Sequence, residues 1–277
     1  MATQYQLTII FDQTALIKIH QAGQSVTIVQ SVSSYVASAL RSETQNIPPA
    51  SRANSISCYA RAIAFGFLNC RPIKHLVLKC EPFLKYIGLD GKEWFSSGDT
   101  PAPNANNAFV PPAVAWLVFS PFQQNTIAWS DEYYLYATVT PLQQPNVILI
   151  NSMTAGSANM NSLYAFNQAQ FIGSAGGNGA VYAVTNQMSG PQLYFGLAQQ
   201  AQINGSTEIG PLTAVSVLLG QSIQFNPNAQ VSIFLSSASD NGEMLPSIPQ
   251  SALTFAITQT SVVVAYNDAT NSFYIAY

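Results

Sequence analysis

Apolar and polar residues alternate in short segments, and such segments stand near both ends of the sequence. An alternation with a period of two is typical of β-strands that bury one face. We predict six strands of this kind, at residues 5–11, 16–19, 25–29, 192–197, 214–219 and 230–235. Asn-Gly dipeptides at 178–179, 204–205 and 241–242 favour tight turns, because Asn and Gly accept positive φ angles. The pattern indicates an all-β protein.

Two parts of the sequence resemble each other, which suggests a diverged repeat. The segment GQSV at 23–26 corresponds to GQSI at 220–223, and residues 125–137 correspond to 262–276. Each member of the second pair contains an apolar strand, a polar turn with an Asp and an aromatic strand. This order predicts a β-hairpin in each half of the chain.

We therefore expect two diverged β-sandwich-like repeats, a first unit at residues 1–140 and a second at 141–277. The first carries an insertion at about 41–100 that holds every basic residue except Lys18 and all three cysteines. Within it, apolar residues at spacings of three and four predict a helix over 55–69, so the insertion is expected to be mixed and partly helical. Its many apolar residues favour packing between the two units over a solvated loop.

Composition makes the surface polar but nearly uncharged. Charged residues make up 8% of the chain and hydrophobic residues 48%, so Gln, Asn, Ser and Thr must supply surface polarity, as at residues 198–202. With a formal net charge of -3, copies of the chain repel one another little, which favours a homo-oligomer or polymer. Residues 93–277 contain eight acidic residues and no Lys or Arg. This argues against nucleic-acid binding, because phosphates are neutralised by cations.

The sequence has no clear targeting signal and no cysteine pattern typical of a metal site or a disulfide framework. The first twenty residues lack the basic start and apolar run of a secretory signal, and no stretch stays apolar over the roughly 18 residues of a membrane span. We expect no transmembrane segment and a cytoplasmic or leaderless-secreted location.

Cys58, Cys70 and Cys80 are odd in number and lack the Cys-x-x-Cys spacing of a zinc site. Free thiols are favoured, and a bridge between Cys70 and either neighbour is the alternative.

Groups that perform catalysis are scarce, so we predict a protein that is not an enzyme and that uses no cofactor or metal. His75 and a neighbouring cysteine could form a Cys-His nucleophile, but no motif specifies that pairing. Asp131 and Glu132 could act as paired carboxylates. Adjacent strand residues face opposite sides, however, so the solvated tip of a hairpin explains them better.

Aromatic residues cluster on the two corresponding hairpins, with Asp, Asn and Gln residues among them. Strand alternation is expected to place some of these rings on an outer face. An exposed ring stacks on the face of a sugar, while amides and carboxylates hydrogen-bond to its hydroxyl groups. The predicted ligand-binding residues are Trp129, Asp131, Tyr133, Tyr136, Tyr266, Asp268 and Tyr274.

The leading hypothesis is a non-catalytic, lectin-like binding protein with one shallow aromatic and amide-rich site per repeat. Its predicted partners are glycans and other copies of the chain. One alternative is a structural protein that self-assembles into filaments, crystals or inclusions, because uncharged strands lack the barriers that keep sheet edges apart. A further alternative is a defence toxin that acts on membranes after assembly, which the alternating Ser, Thr and Val strands suggest.

Overall fold

The computed structural model describes residues 2–37, 113–144 and 146–276. The expected insertion at 41–100, with its helix and the three cysteines, lies outside these residues. Strands dominate the described ranges, so the all-β prediction is confirmed. The elements are β1 (Gln4–Ile10), α1 (Gln13–Gln21), β2 (Ser25–Ala37), β3 (Ala113–Val114), β4 (Leu117–Phe119), β5 (Gln124–Thr138), β6 (Ser152–Met153), β7 (Ser162–Asn167), β8 (Gln170–Ala175), β9 (Tyr182–Asn186), β10 (Leu193–Ile203), β11 (Ser206–Pro211), β12 (Val215–Val217), β13 (Ser222–Ser236), β14 (Met244–Leu245), β15 (Leu253–Ala256), β16 (Ser261–Asn267) and β17 (Ser272–Ala276).

Helix α1 occupies the segment in which a strand was expected at residues 16–19, so that prediction is wrong. The carboxylate of Asp12 accepts a hydrogen bond from the backbone N–H of Ala15 at 2.7 Å, which caps the first turn. Ala15, Leu16 and Ile19 are buried, a spacing that fits one face of a helix. A segment this short fits the periodicity of a helix as well as that of a strand, and the cap at Asp12 favours the helix.

Two large sheets make up most of the described structure. In the first sheet the strand order is β11-β10-β5-β1-β16-β17, with β12 on β10 and β6 on β5. In the second sheet the order is β4-β2-β13-β9-β7-β8, with β15 on β13, while β14 and β3 form a separate pair. Each sheet combines strands from before and after residue 140, since β1 pairs with β5 and β16, and β2 pairs with β13. The described strands of the two expected units are therefore interleaved and do not form separate sandwiches.

The main core lies between the two sheets, where aromatic rings of both sheets meet. Phe195 of the first sheet and Phe166 of the second have ring centroids 5.2 Å apart. Tyr133 of the first sheet and Tyr182 of the second have centroids 5.7 Å apart. Burying one large apolar side chain contributes about 1.5–3 kcal/mol, so these contacts help to hold the sheets face to face.

The longest strand of each sheet contains a β-bulge. In the first sheet, residues 130–132 of β5 lie opposite the single residue Gln200 of β10. In the second sheet, residues 228–230 of β13 lie opposite Ser31 of β2. β5 and β13 both have 15 residues, and the bulge occupies the seventh to ninth residue of each. A bulge bends its strand and re-aims the local side chains, so both strand pairs are distorted at the same relative position.

The two predicted hairpins have different outcomes. The hairpin at 262–276 is confirmed, because β16 and β17 pair with each other and Asn271 in the turn has a φ of 50°. The hairpin at 125–137 is wrong, because β5 runs through this segment as one strand. Asp131 and Glu132 lie in the bulge, and β10 pairs with β5 on both sides of it. Pairing with β10 therefore keeps β5 extended at the residues where the sequence alone predicted that the chain turns back.

The Asn-Gly dipeptides also differ in what they do. Asn204 and Gly205 have φ angles of 50° and 88° and join β10 to β11 in the predicted hairpin. Gly179 and Gly242 have positive φ angles of 74° and 87°. The described strands that flank each of these two glycines are not paired with each other, so these turns redirect the chain and do not close a hairpin.

Gly196 on β10 is a position at which another backbone segment approaches closely. A Cβ there would lie 1.7 Å from the carbonyl oxygen of Thr213 and 2.6 Å from the ring of Tyr136. We expect Gly196→Ala to lower the free energy of unfolding by about 1–3 kcal/mol, the usual cost of overpacking. Urea denaturation followed by circular dichroism measures this change. Gly156→Ala is the control, since nothing lies within 4 Å of its Cβ, and equal effects of the two variants would contradict the prediction.

Candidate ligand-binding site

Most of the predicted aromatic site residues are buried. Trp129, Tyr133, Tyr136 and Tyr266 are each at most 8% exposed, and a ring without an accessible face cannot stack on a sugar. These four rings therefore do not form the exposed surface that strand alternation predicted. Trp129, Tyr133 and Tyr266 belong to the main core, and Tyr136 belongs to a second apolar cluster. Tyr274, on the edge strand β17, is 49% exposed.

Tyr133 and Tyr136 are both buried because both faces of β5 are covered in its second half. Leu135 packs in the core between the sheets, while Tyr136 packs with Val114 and Ile148 in the second cluster. The Tyr136 hydroxyl donates a hydrogen bond to the backbone carbonyl of Thr213 at 2.8 Å. The covering residues come from distant parts of the chain, so local alternation could not reveal them.

The two predicted carboxylates lie at opposite ends of strand β1. Gln4, the first residue of β1, pairs with the residue before Asp131. Ile10, the last residue of β1, pairs with Ala265 near the end of β16, and Asp268 directly follows that strand. The structure therefore does not bring the two predicted groups of site residues together.

Asp268 and Tyr266 already have partners within the described structure. The ammonium of Lys18 on α1 donates to the Asp268 carboxylate, and this hydrogen bond raises the pKa of Lys18. The Tyr266 hydroxyl donates to the side chain of Asn271, and burial raises the pKa of Tyr266. The first contact joins helix α1 to the β16–β17 turn and the second lies within the β16–β17 hairpin, which gives these residues a structural role.

An open cleft of about 270 Å³ lies on the first sheet at the bulge of β5, and we call it the β5 cleft. Its lining residues are Gln4, Ala128, Trp129, Ser130, Glu132, Tyr134, Gln200, Ala201 and Gln202. The glutamate and the three glutamines are exposed, and Tyr134 is half-buried. Of the predicted site residues, Trp129 alone is part of this lining. The other lining residues are its neighbours on β5 and residues of the flanking strands β1 and β10.

Hydrogen bonds within the protein fix the bulge that shapes the β5 cleft. Gln199 is fully buried and donates from Nε2 to the carbonyl of Ser130 at 2.7 Å. The Thr3 N–H donates to Asp131 Oδ1 at 2.8 Å, and the Asp131 N–H donates to the Thr3 carbonyl at 3.1 Å. Asp131 thus connects the chain before β1 to the bulge, and Glu132 is the carboxylate that lines the cleft.

The cleft presents uncharged hydrogen-bonding groups around one carboxylate. Glutamine amides both donate and accept hydrogen bonds, and the Glu132 carboxylate accepts them. Lys, Arg, His and Cys do not occur among the described residues that line it, so it offers no positive charge for a phosphate. Paired acid–base chemistry would require a second carboxylate in the lining. The arrangement suits a neutral, hydroxyl-rich ligand.

Sequence reasoning missed Gln4, Tyr134, Gln200 and Gln202 as site residues. In the sequence, the glutamines contribute only to a general surface polarity. A usable signal was the order Gln-Ala-Gln at 200–202, which places two amides on one face of a strand. The bulge had no local signal, because it depends on pairing between segments far apart in the chain.

In residues 2–37, 113–144 and 146–276, no group of three or more His, Cys, Asp or Glu side chains is placed to hold a metal ion. No helix in these ranges combines the length and hydrophobicity needed to cross a bilayer.

Comparison with known proteins does not assign this chain to a family. No protein-family model matches it, and no curated protein and no solved structure matches it. The all-β class follows from the strands themselves. Inference of function depends on the side chains that the fold brings together.

Alkaline pH should unfold the protein through its buried tyrosines. Burial raises the pKa of Tyr133 to about 12, and burial also raises the pKa of Tyr136 and Tyr182 above the ordinary value near 10. The unfolded chain loses these protons near pH 10. The stability that depends on the neutral hydroxyls is therefore complete below pH 10 and is lost as the pH rises through the folded-state pKa values.

We expect part of the tyrosinate absorbance to appear only near or above pH 12, together with the loss of far-ultraviolet circular dichroism. Tyr133→Phe removes one of the hydroxyls and should make unfolding less steep with pH. Ionisation of all 13 tyrosines near pH 10 with an unchanged circular dichroism spectrum would contradict the prediction.

Proposed function

We propose that the protein is a non-catalytic glycan-binding protein and that the β5 cleft is its binding site. The observation that carries the proposal is the grouping of amide, hydroxyl and carboxylate side chains around a half-buried tyrosine in an open cleft. A sugar offers hydroxyl groups to such side chains and a flat apolar face to a ring. A single carboxylate supports recognition better than hydrolysis, which needs a carboxylate pair in most glycosidases.

Tyr134 takes the role that sequence reasoning gave to the four buried rings. Its inner side packs against the second apolar cluster, together with Met153 and Tyr194 among others. This packing restricts the ring before any ligand binds. A ring that is already ordered loses little conformational entropy when it stacks on a sugar.

The amides surround β5 from both sides. Gln4 is on β1, where it pairs with Ser130, and Gln200 and Gln202 are on β10 at the bulge. A net hydrogen bond between neutral groups contributes about 0.5–1.5 kcal/mol, so three or four of them give a dissociation constant on the order of millimolar. A shallow site of this strength would bind multivalent glycans far more tightly if several copies were joined.

The double variant Glu132→Ala with Gln202→Ala tests the site. We expect about thirtyfold weaker binding to any glycan that the wild type recognises, because two hydrogen bonds of about 1 kcal/mol each are lost. A glycan array identifies the ligand, and isothermal titration calorimetry measures the change. Gln187→Ala is the control, since Gln187 is exposed and is not among the residues that line the cleft. A wild type that binds no glycan, or a double variant with full affinity, would refute the proposal.

A second candidate function is self-assembly, which the outer edge of the second sheet favours. Among the described strands, β8 is the last in the order of that sheet, and five of its six residues are exposed. It contains no charged residue and no proline. Ile172 at its centre is 57% exposed, and Leu163 on the adjacent β7 is 46% exposed. Charges and prolines usually protect an edge strand from pairing with another chain, and β8 has neither.

A lysine on β8 should prevent assembly through this edge. We expect Ile172→Lys to shift the molecular mass toward that of a monomer, because two copies would bring like charges together. Sedimentation velocity over a range of concentrations measures the mass. Ile17→Lys is the matched control, since Ile17 is 52% exposed but lies on helix α1. A wild type that stays monomeric, or equal effects of the two lysines, would refute the assembly proposal.

A further inference from the structure

A larger cavity, of about 530 Å³, lies beside the bulge of β13 in the second sheet. Its lining residues are Val29, Gln30, Ser31, Val32, Ala113, Val114, Leu212, Thr213, Gln230, Ser232, Pro246, Ser247 and Ile248. None of them lines the β5 cleft. The volume falls within the range of about 300–1,000 Å³ that is usual for small-molecule sites.

The described residues that line this cavity are all uncharged. Its thirteen residues include no Asp, Glu, Lys, Arg or His. Aliphatic side chains, among them Val32, Leu212 and Ile248, form much of the wall. An ion that entered such a cavity would lose water without gaining a counter-charge, which is strongly unfavourable. The cavity therefore suits a neutral ligand with an apolar body.

Two lining residues carry buried oxygen atoms that have no hydrogen-bond partner among the described residues. These atoms are Oε1 of Gln30 and Oγ1 of Thr213, and both residues are 2% exposed. By contrast, Ser232 is hydrogen-bonded to Thr254 at 2.8 Å, and Ser31 accepts from the amide of Asn228 at 3.2 Å. Buried polar atoms in folded proteins are nearly always paired, so each exception needs an explanation. The side chain of Gln30 also lies beside the Tyr133 hydroxyl, so Thr213 is the lining residue to which a ligand with a hydroxyl or N–H group would donate a hydrogen bond.

We propose that this cavity is a second binding site, for a small neutral molecule with an apolar body and at least one hydrogen-bond donor. Alcohols, phenols and aromatic amines belong to this class. The site is independent of glycan recognition, because none of its described lining residues lines the β5 cleft. Variants in either site should leave binding at the other unchanged.

Two fluorescent probes with the same ring system test the proposal. N-phenyl-1-naphthylamine is neutral and carries one N–H donor, while 8-anilino-1-naphthalenesulfonate adds a negative charge. We expect the full chain to bind the neutral probe with saturation at one equivalent, and the anionic probe at least about tenfold more weakly. Equal affinity for the two probes would overturn the proposal.

Substitutions at the exposed rim of the cavity locate the bound probe. Ser247→Trp should occlude the cavity and reduce affinity for the neutral probe at least about tenfold, while Gln250→Trp, in the same segment but outside the lining, should not. Ile248→Lys places a cation at the rim and should raise affinity for the anionic probe relative to the neutral one, which Gln250→Lys should not do. Circular dichroism verifies that each variant is folded. If Ser247→Trp and Ile248→Lys both leave the two affinities unchanged, the cavity is not the site.

Discussion

The antiparallel ladders between long, distant strands are the interaction on which the rest of the structure depends. β5 pairs with β10 in the first sheet, β2 pairs with β13 in the second, and the side chains between these pairs form the main core. Buried backbone N–H and C=O groups must find partners, so each ladder resumes directly after its three-residue bulge. The bulges in turn shape two different concave surfaces. One is open and polar, and the other is larger and lined largely by aliphatic groups.

Much of the strand content could be predicted from sequence, but the pairing could not. Alternation located parts of β1, β2, β10, β12 and β13, and Asn204-Gly205 located the turn of a hairpin. These signals are local, because they depend on one strand face or on the φ angles of two residues. Helix α1 was missed because four residues at 16–19 fit both periods, and its cap at Asp12 lay outside them. The interleaving of strands within each sheet has no local signal, since it depends on which distant segments meet.

The candidate site was only partly visible for the same reason. The sequence directed attention to the segment around Trp129 and Asp131, and the β5 cleft does lie there. The assumption of one solvent-exposed face failed, because segments remote in sequence cover Tyr136 on the side opposite the core. Three of the polar groups of the cleft are glutamine amides. Glutamine is common on protein surfaces, so these three are distinguished by their position on β1 and β10, the two strands beside β5, more than by their residue type.

The position of β1 between β5 and β16 has a consequence for how the chain folds. β1 is parallel to β16, with Gln6 opposite Ser261, and antiparallel to β5, with Leu7 opposite Ile127. β1 therefore lacks both neighbours until β5, at residues 124–138, and later β16, at residues 261–267, have been synthesised. Such distant pairings close slowly, because the entropy of a long loop must be lost before contacts compensate for it. Until β16 has been synthesised, the growing polypeptide carries an unfinished sheet whose unpaired strand edges are open to pairing with neighbouring nascent chains.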